Sequence, residues 1–455
     1  MAHDCRGLSL ATTPTAAQAF DAAVDAFLEY RLAVSHHLDR ALGADPTFAL
    51  GHCFKGYAAL ALFSRQGRTL AQTSLDHARA LAAAATPREQ SHVAALSAWA
   101  GNDLALACHH WGILIEQYPR DLLALRLHHF ASFWLGRCGV LQEVPQAVLP
   151  AWDEDTPGFG SLLGMYAFGL EEAGELERAE AMGRLAVAHN AEDLWSVHAV
   201  AHVLESDNRL AEGVAWLAYD GADLADRGTL KGHLWWHRCL YLLDLGQWDA
   251  ALEAFDTLIW TGSPYFADLQ NAAALLWRLE LLGVDVGQRW DEVATVATAN
   301  LLDYDLPFTQ AHLALALARR DPEALARLQR HLETLVADGG PRADDVAGAL
   351  LPLLAGLQAF AQGHFAAALE AFQGVGDGQC LGGSRAQRDL FQQLRIAAAL
   401  KAGHWEQASA LLGQRSAQRP HSPVVWRQYL QVLERMADPR APAARRHLNQ
   451  LLTSA

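Results

Sequence analysis

The chain has 455 residues, 51% of them hydrophobic and 19% charged, with 35 Lys+Arg against 51 Asp+Glu and a formal net charge of −16. That length supplies ample core, and the apolar, weakly charged composition excludes a disordered or collagen-like chain. The acidic balance excludes a phosphate-tracking nucleic-acid binder, whose affinity comes from Lys and Arg neutralising phosphates.

From the N-terminus onward, Met1-Ala-His-Asp-Cys-Arg6 lacks a basic segment followed by an apolar run, so no signal peptide is expected. The six cysteines (Cys5, Cys53, Cys108, Cys138, Cys239, Cys380) contain no C-x-x-C pair and read as free thiols of a reducing compartment. A cytoplasmic protein is expected. Apolar residues recur at i, i+3, i+4 and i+7 almost throughout, with few β-branched runs, which predicts an all-α chain.

A short motif recurs along the chain: Gly or Asn, a polar residue, then a large apolar residue. It stands at Gly101–Leu104, Gly174–Leu176, Asn208–Leu210, Gly246–Trp248, Gly363–Phe365 and Gly403–Trp405. Leu176 and Leu210 are 34 residues apart, Leu210 and Trp248 38, and Phe365 and Trp405 40. A spacing near 34 is the tetratricopeptide period, in which helix–turn–helix units bury their apolar faces by stacking. The Gly or Asn takes the positive-φ turn and the large residue plugs the gap between the helices. Leu390–Pro420 is the clearest whole unit. The fold expected is a tetratricopeptide-like solenoid over 1–455, a right-handed superhelix that can close round a central cavity. Asp338–Arg342 and Gly374–Ser384 read as flexible loops, with a subdivision into 1–337 and 344–455 as the alternative. Val346–Ala361, the most apolar stretch, is interrupted by Pro352 and Gln358 and reads as a buried helix rather than a membrane span.

Against the Ala/Leu background, 21 His and 14 Trp stand out. With the turn residue taken as position 15, the first helix of each unit lines the concave face. Trp195, His198, His202 and Glu205 then occupy positions 2, 5, 9 and 12 of one unit. His233, Trp236, His237 and Asp244 occupy positions 2, 5, 6 and 13 of the next. These positions resemble those that face ligand in tetratricopeptide modules. His92 falls at position 6 before Gly101, as does His312 if Asp321 is the turn. Independently of register, His198, His202 and Glu205 share one helical stripe, and His233 and His237 share another one repeat on. The paired stripes suit Zn²⁺ or Fe²⁺ bound through imidazole and carboxylate, or metal-free acid–base chemistry near neutral pH. Structural histidines are the plainer reading, since H-x-x-x-H is common on such helices and H-E-x-x-H is absent. Adjacent pairs such as His36–His37, His109–His110 and His128–His129 point to different helix faces and read as surface or core-edge residues. No G-x-S-x-G elbow supports a covalent nucleophile.

The chain resembles the tetratricopeptide repeat protein 38 family over nearly its full length. The resemblance lies in Asp45–His52, Thr86–His92, Asp121–Arg126, Tyr166–Leu170, Trp195–His202, Trp236-His237, Gly283–Trp290 and Gly383–Asp389. The family pattern carries histidines at the places of His52, His92, His198, His202, His233, His237 and His312. It implies an all-α repeat fold in the cytosol and no single settled activity. Arg385, Arg388 and Asp389, with Gln288 and Arg289, are further pocket groups if a closed superhelix brings distant repeats together. The leading expectation is a His/Trp-lined pocket for a small molecule or short peptide. In it His198 and His202 act as ligands or bases, Glu205 as their carboxylate partner, and His233 and His237 as the opposing wall. A scaffold binding a protein partner is the rival, and would show an open concave groove.

Overall fold

The computed structural model describes residues 1–454. Helices follow one another from Pro14 onward. Among the described residues the strands are Ala2–His3 and Ser9–Leu10, paired antiparallel ahead of the first helix. The chain is an all-α helical-repeat protein.

The recurrent motif sits where one helix passes to its partner. Left-handed backbone falls on Gly174 (φ 85°), Asn208 (φ 60°), Gly246 (φ 73°), Gly363 (φ 78°) and Gly403 (φ 73°). Leu176, Leu210, Trp248, Phe365 and Trp405 each open the following helix. Trp248 is 40% exposed, so it lies at the mouth of its hairpin rather than filling it. At the 101–104 turn the positive φ (65°) belongs to Asn102, one residue later than the motif suggests. Asp321 (φ −139°) makes no left-handed turn; its carboxylate accepts from Ala324 N and caps Pro322–Ala337. His312 therefore gains no repeat register from it.

The first helices of successive hairpins form a continuous inner layer: Phe159–Glu172, Leu194–Ser206, Leu230–Asp244, Phe266–Leu281 and Pro307–Arg320 pack in that order. Leu194–Ser206 is buried at every position from Leu194 to Glu205, whereas the outer Leu176–His189 buries Ala179, Gly183 and Ala186. A helix apolar on all sides belongs inside, and one apolar stripe suffices for the outer layer. The inner layer is tight because Gly164 faces Ser196, where a Cβ would lie 2.1 Å from Ser196 Oγ. Gly164→Val should therefore cost about 1–3 kcal/mol by overpacking. A urea titration should show the lower midpoint; an unchanged midpoint would mean that the two helices can move apart freely.

Contacts between distant repeats close the superhelix. Gly228 N donates to Tyr30 O (2.6 Å) and Leu32 N to Asp226 O (2.9 Å). Arg65 N donates to Asp303 O (3.1 Å). Gln379 Nε2 donates to Gly136 O (2.8 Å) and Arg342 Nη1 to Trp134 O (2.9 Å). Arg385 N donates to Glu172 Oε1 (2.7 Å) and Arg419 Nη2 to Glu205 Oε1 (2.7 Å). The stretches expected as flexible loops, 338–342 and 374–384, thus supply one seam. Val346–Ala361 is helical, with a π-turn over Val346–Leu350. Leu351–Ala361 packs on Pro307–Arg320, Pro322–Ala337 and Phe365–Gln373. Ala343–Ala361 is long and apolar enough to cross a membrane by length and composition, and it serves here as a repeat helix. All six cysteines are free.

Candidate metal centre and its surroundings

Two neighbouring inner helices bring four imidazoles to one point. On Leu194–Ser206, His198 and His202 are one turn apart, and their Nε2 atoms lie 3.0 Å from each other. On Leu230–Asp244, His237 places its Nε2 3.2 Å from that of His198, and the His233 ring centres 4.7 Å from that of His237. One nitrogen from each of the four lies within 4.8 Å of all the others. His198, His202 and His237 are fully buried.

The outward nitrogens face oxygens on the neighbouring helices. His202 Nδ1 lies 3.4 Å from Glu171 Oε2, and His237 Nδ1 lies 3.4 Å from Glu205 Oε2. His233 Nδ1 donates to Asn271 Oδ1 (2.8 Å). An Nδ1 that carries its proton toward a carboxylate or amide oxygen leaves Nε2 as a lone pair. As neutral rings in that tautomer, His202 and His237 would both aim lone pairs at His198 Nε2, which holds at most one proton and can satisfy only one of them. A cation among the nitrogens satisfies all. Four tetrahedral nitrogens about 2.0–2.1 Å from Zn²⁺ stand about 3.3–3.4 Å apart, close to the 3.0 and 3.2 Å observed. The donor set fits a borderline transition metal such as Zn²⁺ or Fe²⁺.

The electrostatics divide the cluster, with three rings held neutral and His202 drawn toward its protonated form. Burial, reinforced by the neighbouring imidazoles, holds His198 and His237 well below the ordinary histidine pKa. Burial brings His233 down to about 4, against the bond to Asn271. His202 moves up, because Glu171, with Glu172 and Glu205 behind it, outweighs its burial. Burial and the charge of Glu171 raise Glu172.

Aromatic rings wall the cluster. Trp236 stacks on His233 (5.0 Å between ring centres, 11°) and Phe168 on His198 (5.6 Å, 19°), with Trp195 4.9 Å from His198. Beyond the carboxylates lies a cavity of about 790 Å³ bordered by Glu172, Arg385, Arg388, Asp389, Arg395 and Arg419. Its walls are charged and polar rather than His/Trp-lined. Arg388 Nη2 lies 3.4 Å from Glu172 Oε2, and Asp389 pairs with Arg415 and Arg419.

The remaining expected site residues lie elsewhere. His92 is buried in a separate network, with Nε2 3.1 Å from Asp121 Oδ2, which also accepts from Arg88 Nη1 (2.8 Å). His312 Nδ1 donates to Phe308 O (2.8 Å), and its ring packs on Phe308 and Phe391. Arg289 pairs with Asp256 (2.6 Å), and Gln288 caps the same exposed corner. Glu205 serves His237 and Arg419, and the carboxylate at His202 is Glu171 from the preceding repeat. Sequence spacing could have found it, since Glu171 and Glu205 are 34 residues apart, at position 12 of successive units. His128 and His129, read as peripheral, are both buried.

No family model matches the chain. Among solved structures it is similar to Naa15/Naa10 bound to HypK-THB, at 12% identity, covering 96% of this chain and 76% of that one, with TM-score 0.24. The human IFIT1 dimer with m7Gppp-AAAA shares 13% identity over 96% of this chain and 95% of that one, TM-score 0.36. The P58(IPK) TPR domain shares 12% identity over 81% and 99%, TM-score 0.23.

Proposed function

We propose that this helical-repeat protein works through a transition-metal centre held by His198, His202, His233 and His237, and acts on a small molecule in the closed interior. The convergence of four imidazole nitrogens, with their outer nitrogens turned to Glu171, Glu205 and Asn271, carries this reading. When bound to all four imidazoles, Zn²⁺ or Fe²⁺ would supply a Lewis acid to an oxygen of the small molecule by taking it as a fifth ligand. The chain's residues hold and orient it: the carboxylates aim the rings, and Trp195, Trp236 and Phe168 exclude water. The proposal extends to membership of the tetratricopeptide repeat protein 38 family, whose pattern has the same four histidines, to one continuous solenoid, and to a cytoplasmic location where six thiols stay reduced.

The repeat fold also supports a scaffold role with a protein partner on the outer surface. Burial of the inner helices on all sides favours the interior small molecule over an extended peptide in an open groove. Elemental analysis of the purified chain decides the metal. One equivalent of Zn or Fe is expected, as isolated or after uptake at pH 7.5. No stoichiometric metal and no tight uptake would overturn the proposal.

A further inference from the structure

We infer that the interior beside the histidines is a chamber for a small monocarboxylate with a flat apolar body, and that Arg126 recognises its carboxylate. The inference deepens the metal-centre reading and rests on it for one wall of the chamber, formed by His198 and His233.

Arg126, on Leu122–Trp134, is 3% exposed. Its Nη2 donates to Tyr30 Oη, its Nη1 has no partner in the protein, and no ion pair holds it. The guanidinium lies 4.5 Å above the Trp195 ring and 5.4 Å from that of Tyr30. Asp193, the acid whose charge it feels, is already engaged, accepting from Trp195 N (2.9 Å) and Ser196 Oγ (3.0 Å). A buried guanidinium without an anion is costly, which calls for an anionic partner.

More unpartnered groups gather at the same place. Trp195 Nε1, His198 Nδ1, Asn271 Nδ2 and both ring nitrogens of His129 are buried without a hydrogen-bond partner. These residues are mutual neighbours. Arg126 covers Trp195, Trp195 touches His129 (5.5 Å) and His198 (4.9 Å), His198 touches His233 (5.1 Å), and His233 is bonded to Asn271. Arg, Trp and the Asn amide nitrogen only donate, so their common partner is rich in acceptors. Buried polar groups are paired in folded proteins, and a concentration of orphans that includes three obligate donors (Arg126 Nη1, Trp195 Nε1 and Asn271 Nδ2) points to a ligand.

There is also space. Tyr30, His233 and Tyr265 are each only partly buried, so the room the ligand needs lies against these three rings. The partly accessible rings of Tyr30, Tyr265 and His233 border it, matching a planar apolar body. Arg126 brings a single unpaired positive charge, which a carboxylate matches more closely than a phosphate dianion.

The test uses the full chain, metal-free and Zn²⁺-loaded, titrated with benzoate, cinnamate and indole-3-acetate and with their neutral amides. Calorimetry and tryptophan fluorescence read the binding. At least one acid should bind tenfold or more tighter than its amide and quench fluorescence. Arg126→Gln should lose at least tenfold in affinity for that acid, with part regained in Arg126→Lys, and melting curves report folding. If Arg126→Gln does not fold, Trp195→Phe replaces it and should weaken the acid severalfold more than the amide. No binding by any acid, equal binding of acid and amide, or full affinity in Arg126→Gln overturns the inference. Arg126-dependent binding in a chain that takes up no metal would sustain the chamber while ending the metal reading; metal at the histidines with no acid bound would do the reverse.

Discussion

His198→Ala should abolish the metal binding proposed for the histidine cluster. His198 Nε2 is the nitrogen that both His202 and His237 approach, at 3.0 and 3.2 Å, so its loss opens the centre of the cluster rather than an edge. Metal content should fall from one equivalent to background. An ion at 100 times its dissociation constant stabilises a fold by about 2.7 kcal/mol, so the loaded wild type should also outlast the variant in urea by about that amount beyond the cavity left by the ring. Glu171→Gln keeps all four nitrogens and loses only the charge behind His202. It should retain metal with roughly 10–100-fold weaker affinity. His92→Ala, in the separate Arg88–Asp121 network, is the control: it should lose stability and keep its metal. A full equivalent in His198→Ala would refute the assignment.

Mild acid should destabilise the metal-free protein steeply. Burial holds His312 at about 4 and, with a smaller push from Arg137, His128 at about 4 as well. Their unfolded values lie near 6.5, so above that pH neither state takes the proton and their contribution is fully present. As pH falls from 6.5 toward 4 the unfolded chain binds protons that the folded one refuses, and stability is lost. A depression of this size is worth about 3 kcal/mol per group. His202, whose pKa is raised, works the other way: its contribution is present below about 6.5 and is lost as pH rises through its folded value. Urea midpoints at pH 6.5, 5.5 and 4.5 should fall progressively, and His312→Leu should flatten the slope. The same slope in His312→Leu would show that His312 is freely protonated in the fold.

Much of this architecture was legible in the sequence. Ala/Leu periodicity marked the helices, and Gly174, Asn208, Gly246, Gly363 and Gly403 marked the turns, because only a few residue types tolerate positive φ. The histidine cluster was legible because one repeat period superposes His198 and His202 on His233 and His237. Which carboxylate serves which ring was not, since that depends on how the packed helices are offset against each other. Hence Glu205 pairs with His237, while Glu171 reaches His202. His128 and His129 were misplaced by the rule that adjacent residues face opposite sides; on the Leu122–Trp134 helix, buried on every side, both faces are interior. The seams joining Tyr30 to Gly228 and Trp134 to Arg342 left no local trace, because neither partner carries a periodic signal for the other. Arg126 drew no attention for the same reason: its significance comes from what fails to surround it.

The salt bridge from Arg419 to Glu205 has a consequence for how the molecule is made. An open solenoid can mature as it leaves the ribosome, each hairpin settling on the one before. Here the wall behind His237 is finished by a residue near the far end of the chain. Until Arg419 emerges, Glu205 stays uncompensated and the histidines are shielded on one side only. A chain stopped before residue 419 would carry the four imidazoles without the charge that completes their setting.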